Sequence, residues 1–229
     1  KPDKAMGDPV MWEKAEEALR GALEETGADY RVNPGDGAFY GPKIDFHLED
    51  CIGRSWQCGT IQLDFQMPEK FDMTYVGPDG RQHRPVMLHR TVLGSLERFL
   101  GILIEHYAGA FPFWLAPVQI KVIPVSQEHG DYVNAVADRI SAMGYRVEID
   151  SRDEKLGKKI RTAQMEKIPF MIVCGDREVE GETLSVRDRS DGDLGSMTLK
   201  SLVEMLRRQA RPSATRPSAG ACEGESSVV

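Results

Sequence analysis

The residues best suited to chemistry lie close together in the first half of the chain. A short strand is predicted to end at His89 and to run directly into an apolar helix. Thr91, Ser95 and Arg98 would then share one face of that helix, because they are spaced at i, i+4 and i+7. Apolar residues fill its other faces, so we expect the helix to be buried almost all round. A buried guanidinium needs an anionic partner, and phosphate suits it well. The segment therefore predicts either a phosphate site or a core helix with one paired arginine.

Three segments in a fixed order carry a resemblance to a known family. They are residues 37–46 (GAFYGPKIDF), residues 56–65 (WQCGTIQLDF) and residues 87–99 (MLHRTVLGSLERF). Together they resemble the C-terminal half of the catalytic domain of the threonyl-tRNA synthetases, which are class II aminoacyl-tRNA synthetases. Residues 114–208 resemble the anticodon-binding domain of that family, so the resemblance covers nearly all of residues 1–210. A prolyl or glycyl enzyme fits less well, because the order Leu88, His89, Arg90 resembles the threonyl enzyme.

The resemblance implies a ligase reaction in two steps. The carboxylate of L-threonine attacks the α-phosphate of ATP, which is bound with Mg²⁺, and the threonyl group then passes to the terminal ribose of threonine tRNA. Such chemistry depends on positioning and charge neutralisation more than on covalent catalysis. The implied catalytic residues are Arg98, as the arginine of motif 3, and Lys43. The implied ATP contacts are Gln57, Ser95 and Arg98, and the implied substrate contacts are Tyr40, Lys43 and Gln62.

Three of these residues have simpler interpretations when they are considered without the resemblance. Gln57 and Gln62 would be ordinary polar side chains of an edge strand, and Lys43 would be a solvated surface lysine. The functional roles of all three therefore depend on the resemblance.

His89 is the only candidate metal ligand that the resemblance implies. Taken alone, a histidine between a strand and a helix is more often structural than a ligand. In the family, the matching histidine is one of three protein ligands to a catalytic Zn²⁺ whose open position takes the amino and hydroxyl groups of threonine. Such a site rejects valine, which has no hydroxyl to coordinate. The other two ligands, a cysteine and a histidine, are expected in an N-terminal part that this chain lacks.

A self-contained structural zinc site is the rival interpretation. It would be formed by Cys51, Cys58, His83 and His89. Their spacing fits no common zinc ribbon or finger, which makes this alternative the weaker one. The remaining histidines, His47, His106 and His129, are expected to be surface or partly buried residues.

The second half of the chain contains a local basic segment, Ser151–Arg161, at a predicted helix start. Its three lysines and terminal arginine could neutralise RNA phosphates, although such contacts carry little base information. A charge run of this kind is otherwise a solvated helix face. By resemblance, the residues that read the anticodon bases are Asp153, Lys155, Glu178 and Arg187. Many family members carry asparagine in place of Asp153, and an ionised aspartate can only accept hydrogen bonds.

The periodicity of the sequence predicts the elements that position these residues. Helices are expected at residues 9–26, 131–143, 155–167 and 199–209, besides the helix after His89 that ends near Tyr107. Strands are expected at residues 44–48, 55–65, 84–89, 119–124, 145–149, 170–174 and 183–187. The first group of strands, joined by turns, predicts an antiparallel sheet with helices, an α+β fold. The second group alternates with helices and predicts an α/β domain with a mainly parallel sheet.

The predicted domains follow from this change in the arrangement of strands and helices along the chain. Residues 1–116 form the C-terminal part of a class II catalytic domain, and residues 117–211 form an α/β anticodon-binding domain. Residues 212–229 are rich in serine, alanine and glycine and are expected to be disordered.

Composition narrows the functional classes. A net charge of −7 argues against a general nucleic-acid coat, so any tRNA contact must depend on a local basic patch. Four irregularly spaced cysteines indicate reduced thiols, and the absence of a long apolar run or a signal peptide indicates a cytoplasmic protein without membrane contact. Because the chain starts at Lys1, it is interpreted as a fragment, inactive alone, of a parent homodimer. The alternative function is a non-catalytic tRNA-binding module that acts through residues 117–211.

Overall fold

The computed structural model describes residues 1–211, so the predicted disordered tail at residues 212–229 lies outside the described part. The described residues form two compact units, Lys1–His106 and a second unit that begins at Tyr107. None of the helices within residues 1–211 is long and apolar enough to cross a membrane.

The first unit combines one long helix with a small sheet. Its elements in chain order are α1 (Pro9–Thr26), β1 (Lys43–Glu49), β2 (Ser55–Asp64), α2 (Gln66–Lys70), β3 (Tyr75–Val76), β4 (Gln82–His83), β5 (Met87–Thr91) and α3 (Leu96–His106). The bounds predicted for α1 are confirmed. Asp8 caps its start by accepting a hydrogen bond from the Val10 N–H at 2.9 Å. Gly27 ends it in a left-handed conformation, with φ of 66°.

Strand β2 is the centre of the first sheet. It pairs with β1 on one side and with β5 on the other, and both pairings are antiparallel, as the sequence predicts. The register places Gln62 opposite Lys43 on β1 and opposite His89 on β5. A short hairpin of β3 and β4, which the sequence did not indicate, lies between β2 and β5 along the chain.

The prediction that a helix follows His89 directly is wrong. Strand β5 continues to Thr91, and α3 begins only at Leu96. Between them Gly94 adopts a φ of 67°, and a Cβ built there would lie 2.1 Å from the backbone oxygen of Cys58. Only glycine permits this close approach to β2. Thr91, Ser95 and Arg98 therefore do not share a helical face.

The prediction that α3 is buried almost all round is also wrong. No residue of α3 is buried among the described residues. Leu96, Leu100 and Ile104, spaced four residues apart, are each more than half exposed. Arg98 is exposed too, so its guanidinium does not need a partner to offset burial.

The second unit is built on a five-stranded sheet. Its elements are β6 (Ile120–Pro124), α4 (Gly130–Ala142), β7 (Val147–Ile149), α5 (Leu156–Met165), β8 (Phe170–Cys174), α6 (Asp176–Gly181), β9 (Leu184–Asp188), β10 (Gly192–Met197) and α7 (Leu199–Gln209), with a short 3₁₀ turn at Gln127–His129. The strand order is β10-β9-β8-β6-β7. The predicted bounds of β8 and α7 are confirmed.

The second sheet is mixed rather than mainly parallel. Strands β7 and β8 run parallel to β6, whereas β9 is antiparallel to β8 and β10 is antiparallel to β9. If the strand after β8 ran parallel to it, the connection between the two would need a dozen or more residues. Helix α6 has six residues, so the chain turns back beside β8 instead. Strand β10, which was not predicted, then completes a hairpin with β9.

The core of the second unit lies on both faces of β6 and β8, whose residues are all buried. Helices α4 and α7 cover one face with a cluster that includes Val133, Ile140 and Leu202. Helix α5 covers the other face through Ala163, beside Met171. A sheet covered on both sides explains why these strands are almost continuously apolar.

Truncating a side chain in this core should measure how much its packing contributes to stability. Ile172 at the centre of β8 is fully buried, so Ile172→Ala should lower the free energy of unfolding by about 2–5 kcal/mol, through lost burial and a cavity. Urea unfolding followed by circular dichroism would test this. Met165 is 71% exposed, so Met165→Ala, the matched control, should change stability by less than about 0.5 kcal/mol. Equal losses in both variants would contradict the assigned core.

A buried carboxylate organises the turn between β1 and β2. Asp50 is 5% exposed and accepts hydrogen bonds from the Trp56 indole at 2.8 Å and from the Arg54 guanidinium at 2.6 Å. The backbone N–H groups of Ile52 and Arg54 also donate to it. Burial raises the pKa of Asp50, but these hydrogen bonds outweigh it and hold the pKa far below its usual range.

The lowered pKa of Asp50 predicts a pH-dependent contribution to stability. A carboxyl whose pKa is depressed on folding stabilises the fold above its unfolded pKa of about 3.9, and that contribution is lost as the pH falls towards the folded value. Asp50→Asn should therefore lower the Tm at pH 7, and its deficit relative to the wild type should narrow at pH 3. Thermal unfolding at both pH values checks this, with the exposed Asp29→Asn as control. A deficit that stays constant with pH would contradict the prediction.

Candidate functional site

The first sheet places three predicted site residues in one row. Lys43, Gln62 and His89 stand opposite one another on β1, β2 and β5. Residues directly opposite on neighbouring strands point to the same face of a sheet. The structure therefore brings together side chains that are far apart in sequence, and it does so through strand register alone.

Hydrogen bonds at both ends fix the amide of Gln62. The Tyr40 hydroxyl donates to its Oε1, and its Nε2 donates to the Thr60 hydroxyl at 3.3 Å. The Tyr40 ring also meets the His89 ring edge-on, with 5.9 Å between centroids. Gly41 makes this possible, because a Cβ there would lie 1.9 Å from the backbone oxygen of Leu63. The loop can thus lie directly against β2 with Tyr40 over the row.

Lys43 is held by carboxylates on the same side of the sheet. Its ammonium pairs with Asp45 and lies 3.5 Å from Asp36. Burial lowers the pKa of Lys43, but the two carboxylates outweigh burial and raise it, so the lysine is charged at neutral pH. Asp45 is 4% exposed, and its second oxygen has no hydrogen-bond partner within residues 1–211. Both residues line a cavity of about 230 Å³ that α1 and residues 30–37 complete.

His89 is oriented by an aspartate on the neighbouring strand. Its Nε2 lies 2.9 Å from Asp64 Oδ2, and the Asp64 carboxylate also accepts from the N–H groups of Gln66 and Met67 at the start of α2. Burial raises the pKa of Asp64, but the His89 and backbone hydrogen bonds outweigh it and hold the pKa below its usual value. Asp64 therefore remains ionised at neutral pH and fixes the imidazole.

The residues of this site do not by themselves fit a zinc ion. Within residues 1–211 no three His, Cys, Asp or Glu side chains converge as a metal group. A zinc site needs at least three protein ligands, and His89 supplies one. The rival structural site of Cys51, Cys58, His83 and His89 is wrong. His83 instead lies 2.8 Å from Asp79, and Cys58 is buried in β2, where burial raises the pKa of its thiol.

The predicted ATP contacts meet at the start of α3. Arg98 Nη1 donates to the backbone oxygen of Gln57 at 2.8 Å, and its guanidinium carbon lies 5.9 Å from the centre of the Trp56 ring. Ser95 caps the helix, since its hydroxyl oxygen accepts from the Arg98 N–H at 3.3 Å. The same hydroxyl donates to Glu97 at 2.8 Å. The three residues thus surround an exposed helix N-terminus.

Sequence reasoning missed several residues of the site. Thr60, Asp64, Asp45 and Trp56 were not singled out, although each contacts a predicted site residue. The period-two alternation of β2 was the available signal, because Thr60, Gln62 and Asp64 must share one face once Gln62 is assigned to it.

The four predicted anticodon readers lie on separate elements of the second unit. Asp153 is exposed in the loop after β7, and Lys155 directly precedes α5. Glu178 lies in α6, where its Oε2 accepts from the Gly175 N–H at 2.9 Å. Arg187 stands opposite Met171 and pairs with Asp193 at 3.1 Å. Within the described residues no hydrogen bond or ion pair joins these four side chains to one another.

The basic segment is less available to RNA than its sequence indicates. Lys159 is only 2% exposed and donates to the backbone oxygen of Pro124 at 3.2 Å. Lys158 pairs with Glu154. Lys155 and Arg161 are the exposed cations of the predicted patch that make no ion pair among the described residues.

Each of the two units matches a known protein family. Residues 9–107 match the family described as tRNA synthetase class II core domain (G, H, P, S and T), and residues 119–209 match the family described as anticodon binding domain. Threonine–tRNA ligases of Acetivibrio thermocellus and Clostridium tetani are 61% and 60% identical to the chain over 206 residues, which is 90% of it. The chain spans 32% of the length of each of these relatives.

Solved structures give the same result. The crystal structure of the RNA-binding domain of threonyl-tRNA synthetase from Cryptosporidium parvum Iowa II is 38% identical, with a TM-score of 0.85, and the match covers 93% of this chain and 54% of that one. A threonyl-tRNA synthetase from Aeropyrum pernix is 32% identical with a TM-score of 0.67, and the match covers 91% and 51%. The chain is thus homologous to threonine–tRNA ligases over about 90% of its length, and it combines part of a class II core domain with an anticodon-binding domain.

Proposed function

We propose that this chain serves a threonine–tRNA ligase, in which its first unit binds ATP with Mg²⁺ and L-threonine and its second unit reads the anticodon of threonine tRNA. The observation that supports this best is the row of Lys43, Gln62 and His89 on one sheet face, within a chain 61% identical to such ligases. ATP and tRNA are cytoplasmic, so we place the proposed reaction there.

The nucleotide would bind at the N-terminus of α3. Arg98 is exposed, and the Gln57 carbonyl and the Trp56 ring fix its guanidinium. It therefore keeps N–H groups for phosphate oxygens, which arginine binds with two parallel hydrogen bonds. The backbone dipoles of the helix add positive potential at its N-terminus, which is the same place. Arg98 would thus neutralise charge that ATP carries and that grows during adenylate formation.

The amino acid would bind on the row itself. Lys43, charged and fixed by Asp45, is suited to a carboxylate or phosphate oxygen, and the clamped amide of Gln62 is suited to a small polar substrate. A side chain that must hydrogen-bond its substrate rejects an analogue that lacks the polar group, as valine does relative to threonine. His89 would contribute one zinc ligand in the family's manner.

The second unit would hold the tRNA through separate phosphate and base contacts. Lys155 and Arg161 are exposed and suited to phosphates. Glu178 and Arg187 present an acceptor and a fork of donors, and such groups read the edges of splayed bases. The exposed Asp153 can only accept hydrogen bonds when ionised, so it would read a base amino or imino group.

The isolated chain should make no threonyl-adenylate. Its described residues supply one candidate zinc ligand and a single site arginine, Arg98, whereas positioning of both substrates needs a fuller set. Threonine-dependent ATP–pyrophosphate exchange by the purified chain should stay at background. Clear exchange would contradict this prediction. A different result would favour the alternative function, a non-catalytic tRNA-binding module. In that case a longer form of the protein would also fail to activate threonine, while the chain would bind threonine tRNA.

Arg187 should contribute base discrimination rather than general affinity. Arg187→Gln should reduce the preference of the chain for threonine tRNA over the same tRNA with a replaced anticodon by about 1–3 kcal/mol, because one fork of donors is lost. Competitive filter binding at fixed salt measures this preference. Arg208→Gln removes the same charge from an exposed site on α7 and should leave the preference unchanged. Equal effects of both substitutions would show that Arg187 contacts phosphate and does not discriminate between bases.

A further inference from the structure

Helix α6 carries a proposed anticodon reader without being anchored in the core. It has six residues, none of them buried, and it follows β8 through Gly175. A helix this short has little stability of its own. The position of Glu178 on α6 must therefore be fixed by contacts at the two ends of the helix.

The contact at its first residue comes from His129. This side chain is 8% exposed, and its Nε2 lies 2.9 Å from Asp176 Oδ1. On the other side of the ring, Nδ1 lies 3.2 Å from the Ser126 N–H and 3.0 Å from the Ser126 hydroxyl. A backbone N–H can only donate, so Nδ1 accepts and Nε2 carries the proton towards Asp176. The buried ring thus joins the loop after β6 to the start of α6.

A second contact, just beyond the last residue of α6, comes from the first turn of α4. The Tyr132 hydroxyl donates to the backbone oxygen of Thr183 at 2.9 Å. Thr183 N–H in turn donates to the Glu178 carbonyl at 3.0 Å. His129 and Tyr132 therefore hold α6 from both ends, and both belong to one stretch at the start of α4.

Glu178 itself has one carboxylate oxygen committed and one available. Its Oε2 accepts from the Gly175 N–H at 2.9 Å, which caps the helix start. No hydrogen bond among the described residues uses Oε1. The direction in which Oε1 points is thus set by the orientation of the first turn of α6, which is the turn that His129 holds.

We propose that His129 and Tyr132 are positioning residues for anticodon reading, which aim the free Glu178 oxygen at a base through α6. The inference rests on the proposed function of Glu178. Neither residue would touch the RNA itself, so their loss should weaken discrimination between anticodons while leaving sequence-independent affinity unchanged.

The test compares two ligands on the full 229-residue chain: an unmodified threonine tRNA transcript and the same transcript with its anticodon bases replaced. Glu178→Gln keeps an oxygen for the cap but turns the other oxygen into a donor, so it should reduce the ratio of the two affinities about tenfold. His129→Ala should reduce that ratio about threefold or more, with affinity for the replaced transcript unchanged. Tyr132→Phe, which removes one hydroxyl, should act in the same direction.

Two further variants separate positioning from simple destabilisation. His129→Gln retains one acceptor and one donor and should restore most of the ratio. A double variant, His129→Ala with Glu178→Gln, should lose no more than Glu178→Gln alone, because both changes act on one contact. Asn134→Ala, an exposed change on the same helix, is the control, and circular dichroism monitors folding.

The outcomes distinguish the two proposals. An unchanged ratio in Glu178→Gln would overturn the reading role of Glu178 and this inference with it. A reduced ratio in Glu178→Gln with an unchanged ratio in His129→Ala would overturn the positioning role alone. Additive losses in the double variant, or equal weakening of both transcripts in His129→Ala, would show that His129 only stabilises the fold.

Discussion

The register of β2 is the constraint on which the proposed catalytic face depends. Because side chains alternate along a strand, a slip of one residue against β1 or β5 would move Gln62 to the opposite face and separate it from Lys43 and His89. Two glycines also support this arrangement, because they allow loops to pack closely against β2. Gly41 and Gly94 each bring a loop so close to the β2 backbone that a Cβ would overlap a carbonyl group. Strand pairing and close loop packing therefore specify the same site geometry.

The second unit positions its polar residues in a different way. Its apolar core fixes β6, β8 and β9, and β9 carries Arg187, but Asp153 and Glu178 lie on segments outside that core, in the loop after β7 and in α6. Polar contacts hold those segments. Asp150 is buried and binds Arg152 through both carboxylate oxygens, and these bonds, with burial opposing them, lower the pKa of Asp150. The loop that carries Asp153 begins at this pair, as α6 begins at the contact between Asp176 and His129.

Sequence patterns predicted the elements that form by local rules. The N-cap, the proline and the final glycine of α1 define its bounds, and the continuous apolar run of β8 defines a buried strand. The start of α3 was misplaced because the apolar run from Val92 onward has no local break apart from Gly94, whose role depends on the distant Cys58 backbone. Strand β10 was missed because glycine and aspartate have low strand propensity, and only its partner β9 makes it a strand.

The same distinction, between local sequence patterns and contacts of distant segments, applies to the candidate site. The resemblance supplied Tyr40, Lys43, Gln62, His89 and Arg98, but it gave no reason for their geometry. That geometry depends on contacts between segments distant in sequence, such as Asp64 with His89 and Trp56 with Arg98. Lys159 shows the reverse case, since its place in a basic run indicated an RNA contact, whereas the fold buries it against Pro124. A charge can therefore contact a ligand only where the fold leaves it accessible, as it does at Arg98, Lys155 and Arg161.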